Sequence, residues 1–326
     1  MSSIPSSVGV VIIGRNEGPR LARCLESLAD FMPQVVYVDS ASTDNSLSEA
    51  KSHGAHVISL DMSQDFTAAR ARNTGLDAIV SLFPEIEFVQ FVDGDCIVND
   101  HWVQTAVDFL RGNPTVAVVC GRRREISPQL SIYNRMCDQE WNTPVGQAKA
   151  CGGDALMRVD VIKLVGGYKN DLIAGEEPEL CIRIRQAGYS IWRLEAEMTL
   201  HDAAITKFSQ WWKRTMRGGY AYAEGAYLHG AAPEYHWVAE SKRAWIWGGV
   251  IPIIALILFF ISWKLSLIVL LTYPLQVIRL TLKNHHRGNW QAAFFLVLGK
   301  FAELAGQLKF FKKQYFNEKI NLIEYK

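Results

Sequence analysis

The chain has 326 residues, and its 34 Lys and Arg against 33 Asp and Glu give a formal net charge of +1 at pH 7. This length allows one large domain or two ordinary ones, and the balanced charge excludes the general basic field of a nucleic-acid-binding protein. The six cysteines form no C-x-x-C pair, which argues against a zinc or redox motif and favours reduced thiols in a cytoplasmic domain. We expect no secretory signal in residues 1–7, which are small and polar.

The amino-terminal part alternates short apolar runs with helical patterns in units of roughly thirty residues. Such alternation predicts an α/β fold with a mostly parallel sheet and right-handed crossovers. The expected strands are 8–13, 34–39, 56–60, 88–95, 115–121, 189–194 and 197–200, and the expected helices are 20–28, a helix reaching Lys51, 66–79, 102–111 and 178–188.

The run 88–95 ends in two carboxylates, Asp93 and Asp95, separated by one glycine. Its apolar residues need burial, whereas the carboxylates need water, a cation or donors, so they belong at the carboxyl end of a core strand. Carboxylates at i and i+2 suit Mg²⁺ or Mn²⁺ shared with phosphate oxygens. The other interpretation is an ordinary turn, for which Asp-Gly-Asp is also suitable.

A second strand ends in Asp39, and the helix after the third strand carries Arg72. If the strands that end in Asp39 and Asp93 are neighbours, they converge on one crevice, where Asp39 reads a nucleotide and Arg72 adds a charge-assisted contact. A helix cap for Asp39 and a solvated helix face for Arg72 are the alternatives.

Three later clusters are ambiguous by themselves. The run Arg122–Arg124 is either a solvated edge or a contact to phosphate or anionic lipid. Gly152 and Gly153 precede Asp154, as in a close approach to a ligand or an ordinary turn. The cations of 210–219 suit either a diphosphate or a membrane interface.

An acidic pair, Glu176-Glu177, precedes a helix and serves either as dipole complementation or as a general base. His201 follows a strand, where a histidine is usually structural but can complete a metal shell.

The carboxyl-terminal part is strongly apolar. Residues 245–263 and 265–282 each reach the roughly twenty residues that a bilayer core needs, which predicts a transmembrane hairpin, with buried or re-entrant helices as the alternative. Residues 290–311 predict an interfacial amphipathic helix. Lys242 and Arg243 before the hairpin, and Lys283 and Arg287 after it, predict that the amino-terminal domain lies at the cytoplasmic face of the inner membrane.

Several stretches together resemble family 2 glycosyltransferases of the GT-A fold. They are Val-Val-Ile-Ile-Gly-Arg-Asn-Glu, Val-Asp-Ser-Ala-Ser-Thr-Asp-Asn-Ser, Ala-Arg-Asn-Thr-Gly, Phe-Val-Asp-Gly-Asp, Val-Gly-Gly-Tyr and Gly-Glu-Glu-Pro-Glu-Leu. The resemblance covers Val8 to about His201. It implies a glycosyltransferase domain over 1–240, with a nucleotide-binding half of about 1–120 and an acceptor half of about 121–240. The apolar runs that follow predict a membrane-associated region over 241–326.

The resemblance also implies roles for individual residues. The nucleotide site would comprise Asn16, Glu17, Asp39, Arg72 and Asp93. The metal, Mn²⁺ or Mg²⁺, would bind Asp95 with Asp93 and His201, and the sugar or acceptor would contact Gly153 and Asp154. Apart from the resemblance, Arg214 and Arg217 are the candidates for a diphosphate among the cations of 210–219. Related enzymes usually have Glu-Asp at the acidic pair, so Glu177 takes the position of the base and Glu176 is the reserve.

The implied reaction is transfer by a hexosyltransferase, with inversion, from a nucleotide-diphosphate sugar to the hydroxyl of a glycan or lipid-linked acceptor in exopolysaccharide or lipid-linked glycan assembly. Membrane lipids, but not nucleic acid, would be partners. The Gln-x-x-Arg-Trp motif of processive synthases is absent, which favours transfer of a single sugar. A polyprenyl-phosphate glycosyltransferase and a catalytically inactive membrane-anchored binding or assembly protein are the two alternatives.

Overall fold

The computed structural model describes residues 7–283 and 290–316. Its strands are β1 Val8–Gly14, β2 Val35–Asp39, β3 His56–Ser59, β4 Phe88–Asp93, β5 Cys96–Val98, β6 Val116–Glu125, β7 Gly146–Ala148, β8 Ala155–Arg158 and β9 Ser190–His201. Its helices are α1 Pro19–Glu26, α2 Ser46–Ser52, α3 Ala68–Leu82, α4 Trp102–Gly112, α5 Ile132–Glu140, α6 Val159–Leu164, α7 Glu176–Gln186, α8 Phe208–His229, α9 Val238–Trp245, α10 Ile251–Ile261, α11 Trp263–Leu270, α12 Thr272–Lys283 and α13 Trp290–Phe316.

The described residues divide into two compact units. The first comprises the residues up to Ser127 together with Glu140–Leu172 and Glu176–Ala203. The second comprises Pro128–Gln139, Ile173–Gly175 and the residues from Ala204 onward.

The first unit contains a nine-stranded sheet with the order β3-β2-β1-β4-β8-β6-β9-β5, in which β7 also pairs with β9. β1 to β4 run parallel, as does the pair of β6 and β9, whereas β8, β5 and β7 are antiparallel to their neighbours. The α/β prediction is therefore confirmed, with a mixed sheet. The antiparallel strands have only three or four residues each, too few to give a hydrophobic period in the sequence.

β1 occupies the centre of the parallel part, and Val10, Val11 and Ile12 are fully buried in it. Ile13 is paired with Asp93 of β4, and Gly14 with Asp39 of β2. The strands that end in Asp39 and Asp93 are thus not neighbours, because β1 lies between them. Their carboxyl ends still meet at one edge, since adjacent strands are only about 4.8 Å apart.

Two predicted helices begin at other residues in the structure. The helix predicted at 66–79 is Ala68–Leu82, because the Thr67 side chain accepts from the Arg70 amide and caps it. The helix predicted from 178 begins at Glu176, which places both members of the acidic pair in its first turn.

The second unit is helical. The helices Val238–Ile261 and Trp263–Lys283 are long and apolar enough to cross a membrane by length and composition. They correspond to the predicted segments 245–263 and 265–282, but the break between them falls at Ser262, which is extended, rather than at Lys264. Arg287 and the tail 317–326 lie outside the described residues.

The amphipathic helix predicted at 290–311 is α13, which extends to Phe316. It packs against α8 at two glycines, Gly219 of α8 and Gly306 of α13, where the backbones meet closely. A Cβ on Gly219 would meet the Glu303 backbone, and one on Gly306 would meet that of Met216.

Candidate active site

Asp39 lies buried at the end of β2, and both of its carboxylate oxygens accept hydrogen bonds. The Tyr37 hydroxyl donates to Oδ1 at 3.1 Å, and the Ser42 amide donates to Oδ2 at 2.9 Å. Asn16 joins the loop after β1 to the loop after β2. Its backbone amide donates to Ser42 Oγ, and its side-chain Oδ1 accepts from the backbone amide of Thr43. The carboxylate is therefore held rigidly at the edge of the sheet.

Glu17, the other nucleotide candidate of this loop, is half-buried and forms an ion pair with Arg20 at 2.9 Å. Its side chain also lies beside Gly94, since a Cβ on that glycine would be 3.2 Å from Glu17 Cγ. It therefore borders the Asp93-Gly94-Asp95 turn.

Arg72 connects the two acidic clusters of the sequence. Its Nη2 is 2.8 Å from Asp93 Oδ1, and its Nη1 is 2.7 Å from Glu176 Oε1. The guanidinium lies over the Tyr168 ring, and Arg72 is only 3 % exposed. The structure thus joins Asp93, a predicted nucleotide residue, and Glu176, the reserve base, through the buried guanidinium of Arg72.

Asp95 and His201 also come together, because β5 pairs with β9 and sets Cys96 opposite His201. Asp95 Oδ1 lies 3.2 Å from His201 Nε2, and the imidazole stacks on Trp141 with a centroid separation of 4.7 Å. Ligand atoms of Asp95, Cys96 and His201 lie within 4.8 Å of one another.

Electrostatics distinguish His201 from Cys96. Burial, followed by the Arg123 charge, lowers the pKa of His201, so the imidazole is neutral and able to bind a cation. Burial, followed by Asp154, raises the pKa of the Cys96 thiol well above its usual value. Cys96 is therefore a protonated donor rather than a thiolate ligand.

Asp154 is completely buried and accepts several hydrogen bonds. Thr199 Oγ1 donates to its Oδ2 at 2.9 Å, the Cys96 thiol donates to the same oxygen at 3.4 Å, and the Asp93 amide lies 3.4 Å from its Oδ1. Arg123 Nε lies 3.0 Å from Oδ2. Asp154 therefore connects β4, β5, β6 and β9 at the site through its carboxylate.

Arg123 is a site residue that the sequence did not single out within the run Arg122–Arg124. Strand alternation does not identify it, because the pairing of β6 with β9 is irregular on both sides of Arg122. Arg124 instead pairs with Glu197 at 2.7 Å on the exposed surface.

The acidic pair has two different environments. Glu177 is 2 % exposed, and its oxygens accept from the amides of Cys151 and Gly152, each at 2.8 Å. Burial, the largest cause, raises the pKa of Glu177 above its usual value. Glu176 instead borders the site through its ion pair with Arg72.

Gly153 has no space for a side chain. A Cβ at this position would lie 2.7 Å from Arg72 Nη2 and 3.1 Å from Asp93 Oδ2. The two remaining candidates, Arg214 and Arg217, are half-buried residues of α8 in the second unit, where Arg217 Nη2 donates to the Ile173 carbonyl at 2.9 Å.

Comparisons with known proteins point to glycosyltransferases. Residues 9–160 match the model of the family Glycosyl transferase family 2. Glycosyltransferase AglE of Haloferax volcanii is 25 % identical over 235 residues, which cover 67 % of this chain and 74 % of that protein. Pre-mycofactocin glycosyltransferase of Mycobacterium tuberculosis is 27 % identical over 238 residues, 68 % of this chain but 48 % of that protein. The chain therefore spans about three-quarters of one relative and about half of the other.

Among solved structures, the fold is similar to that of mannosyltransferase PcManGT of Pyrobaculum calidifontis, described in complex with GDP-Man and Mn²⁺. The TM-score is 0.63 at 19 % identity, with 93 % of this chain and 87 % of that chain covered. At this identity the likeness shows the fold.

Proposed function

Because residues 9–160 form a family 2 glycosyltransferase domain, which makes the chain a transferase enzyme, we propose that it moves one sugar from a nucleotide-diphosphate sugar to an acceptor hydroxyl with inversion. The observation that carries the proposal is the position of Arg72, which contacts both Asp93 and Glu176. One buried cation thus connects the nucleotide end of the site to the acidic pair.

The nucleotide is proposed to lie along the carboxyl ends of β2, β1 and β4, which is where open α/β sheets bind ligands. Asp39 would read the base, and Asp93 the ribose. Both side chains are held by protein contacts before any ligand arrives, since Asp39 accepts from Tyr37 and Ser42, and Asp93 pairs with Arg72. Such preorganisation reduces the conformational entropy that these side chains lose when the ligand binds.

A divalent cation, Mn²⁺ or Mg²⁺, fits the residues that are present. His201 Nε2 faces Asp95 Oδ1 at 3.2 Å, and ligand atoms of Asp95, Cys96 and His201 lie within 4.8 Å of one another. Asp95 and His201 would hold the ion, with Asp93 nearby. When bound, the cation would neutralise the charge that develops on the departing diphosphate.

Glu177 is proposed as the general base, with Glu176 as the reserve. Burial raises the pKa of Glu177 and so makes it a better proton acceptor than a solvated carboxylate. Glu176, by contrast, is engaged in an ion pair with Arg72 at 2.7 Å. The acceptor oxygen would form its bond to the anomeric carbon while its proton passes to Glu177, and the bond between that carbon and the phosphate oxygen would break.

The reaction is proposed to take place at the cytoplasmic face of the inner membrane, on a glycan or lipid-linked acceptor of envelope or exopolysaccharide assembly. Two helices of the second unit are long and apolar enough to span a bilayer. Lys242 and Arg243 lie before the apolar part of the first helix, and Lys283 ends the second. Cations at both ends favour a cytoplasmic location of those ends. The division into a catalytic region 1–240 and a membrane-associated region 241–326 belongs to the same proposal.

The test is a transfer assay with the detergent-purified chain, a panel of UDP-, GDP- and dTDP-sugars, and membrane lipid extract as the source of acceptor. We expect one donor class to be consumed, with a product of inverted anomeric configuration. Glu177→Gln should reduce turnover about 100-fold or more with donor affinity retained. The matched variant is Glu176→Gln, which should instead weaken donor binding through Arg72.

The outcomes separate the candidate functions. Full turnover by Glu177→Gln on a polyprenyl phosphate would favour the polyprenyl-phosphate glycosyltransferase, because an ionised phosphate needs no base. Absence of binding to every donor would contradict an enzymatic function and support a binding or assembly protein.

A further inference from the structure

Arg123 reaches the interior of the site from β6. Its Nε forms an ion pair with Asp154 at 3.0 Å, and its guanidinium lies over the Trp141 ring, 5.6 Å from the centroid. Its Nη2 is buried and has no hydrogen-bond partner in the described part of the chain. A buried donor left unpaired costs free energy, so such a group calls for an explanation such as a ligand.

Two contacts, with Asp154 and with Trp141, fix the orientation of the Arg123 side chain. Asp154 is fully buried and is itself held by Thr199 and Cys96, so it cannot move away with the arginine. Trp141 covers one face of the guanidinium and also stacks on His201. The unpaired Nη2 therefore points in a direction that the surrounding side chains determine.

Gly152 and Gly153 lie against the guanidinium groups of Arg123 and Arg72. A Cβ on Gly152 would lie 3.4 Å from Arg123 Nη2, and a Cβ on Gly153 would lie 2.7 Å from Arg72 Nη2. Gly152 also has a φ of +101°, which disfavours any side chain there. Both groups are thus close to the backbone at consecutive residues that offer no side chain to cover them.

The position along the site identifies which part of a nucleotide Arg123 would meet. The Gly152 amide donates to Glu177, the proposed base, whereas Asp39, the proposed reader of the nucleobase, lies at the end of β2. Arg123 therefore lies at the reacting end. A planar guanidinium with a free N–H suits a phosphate oxygen, and a neutral sugar does not require a cation.

We propose that Arg123 binds the β-phosphate of the nucleotide donor through Nη2 and keeps it bound when the bond between that phosphate and the sugar breaks. This inference rests on the proposed function, since it presupposes a nucleotide-diphosphate donor. Asp154 and Trp141 are then positioning residues, which act through Arg123.

The experiment is isothermal titration of the detergent-purified full chain with Mn²⁺ present, using UDP, GDP and dTDP and the corresponding monophosphates. Arg123→Gln should weaken binding of the preferred diphosphate about tenfold or more, because a charge-assisted hydrogen bond is lost. Its effect on the monophosphate should remain below about twofold. The matched control is Arg124→Gln, which removes the adjacent arginine of the same strand and should change neither affinity.

Arg123→Lys provides a second variant in case Arg123→Gln does not fold. Lysine keeps the charge but cannot contact Asp154 and the phosphate together, so we expect an intermediate loss for the diphosphate alone. The assignment would be overturned if Arg123→Lys bound the diphosphate as tightly as Arg124→Gln does. It would also be overturned if the Arg123 variants lost equal affinity for the diphosphate and the monophosphate. If the unmodified chain binds no nucleotide, the proposed function itself fails, which is a different result.

Discussion

Arg72 donates through Nη2 to Asp93 Oδ1 at 2.8 Å, although the two residues are 21 positions apart and belong to α3 and β4. Arg72 is 3 % exposed, whereas the Asp93 side chain is 29 % exposed. The buried arginine therefore orients a carboxylate whose remaining surface is accessible to a ligand. Loss of either partner should affect both the stability of the fold and the binding of the donor.

Arg72→Ala should lower the free energy of unfolding by about 3 kcal/mol, because it leaves two carboxylates without their buried cation. Donor affinity should fall in the same variant. Denaturant unfolding and nucleotide titration of the detergent-purified chain measure the two effects. Asp77→Ala, an exposed position of the same helix, is the control and should change neither quantity. Unchanged stability in Arg72→Ala would show that the ion pairs are not formed in solution.

Removal of the metal site should abolish stabilisation by Mn²⁺. In the unmodified chain, Mn²⁺ at about 100 times its dissociation constant should add about 2.7 kcal/mol of stability. Asp95→Asn and His201→Gln should each lose most of this gain, since the first removes the carboxylate charge and the second removes the imidazole. Thermal unfolding with Mn²⁺ and with EDTA measures the gain, and Asp77→Asn serves as the control. A full gain in both site variants would place the ion elsewhere.

Acid should destabilise the metal-free chain through His201. Burial, and then the Arg123 charge, hold the folded-state pKa of His201 below its usual value of 6.5. Below about pH 6.5 the unfolded state therefore binds a proton that the folded state does not, so stability falls as pH falls, by up to about 1.4 kcal/mol per pH unit.

The contribution of His201 is obtained as a difference between variants. Glu125 and Glu177 have raised pKa values, chiefly from burial, and a raised carboxyl pKa makes stability fall as pH rises. Denaturant unfolding from pH 7.5 to 5.5 in EDTA should therefore show a smaller loss on acidification in His201→Gln than in the unmodified chain. Identical slopes would mean that His201 is not buried as a neutral group.

Two adjacent glycines of α8 should respond in opposite ways to alanine. Gly219→Ala should cost about 1–3 kcal/mol, because the new Cβ meets the Glu303 backbone. Gly218→Ala meets no atom within 4 Å and should be neutral or stabilising by up to about 1 kcal/mol through helix propensity. Thermal midpoints in detergent provide the comparison. Equal midpoints for the two variants would contradict the close approach of α8 and α13.

The sequence by itself determined the features that depend on local pattern. Short apolar runs and helical periodicity indicated the α/β domain and the strands that end in Asp39 and Asp93, and long apolar runs indicated the helices near the carboxyl end. These features can be predicted because burial of a helix face, a strand or a membrane span requires apolar residues at regular or consecutive positions in the sequence. Motif order indicated the glycosyltransferase family, which the family match confirms.

The tertiary structure decided how distant residues meet. Asp154 and Arg123 are 31 positions apart, and they come together because β6 and β8 are paired strands of the sheet. His201 meets Asp95 through the pairing of β9 with the three-residue β5. Such short strands carry too few residues to impose a repeat, so their partners are chosen by the packing of the whole sheet. The chemistry of Arg123 therefore depends on which side chains surround it, and no local pattern specifies them.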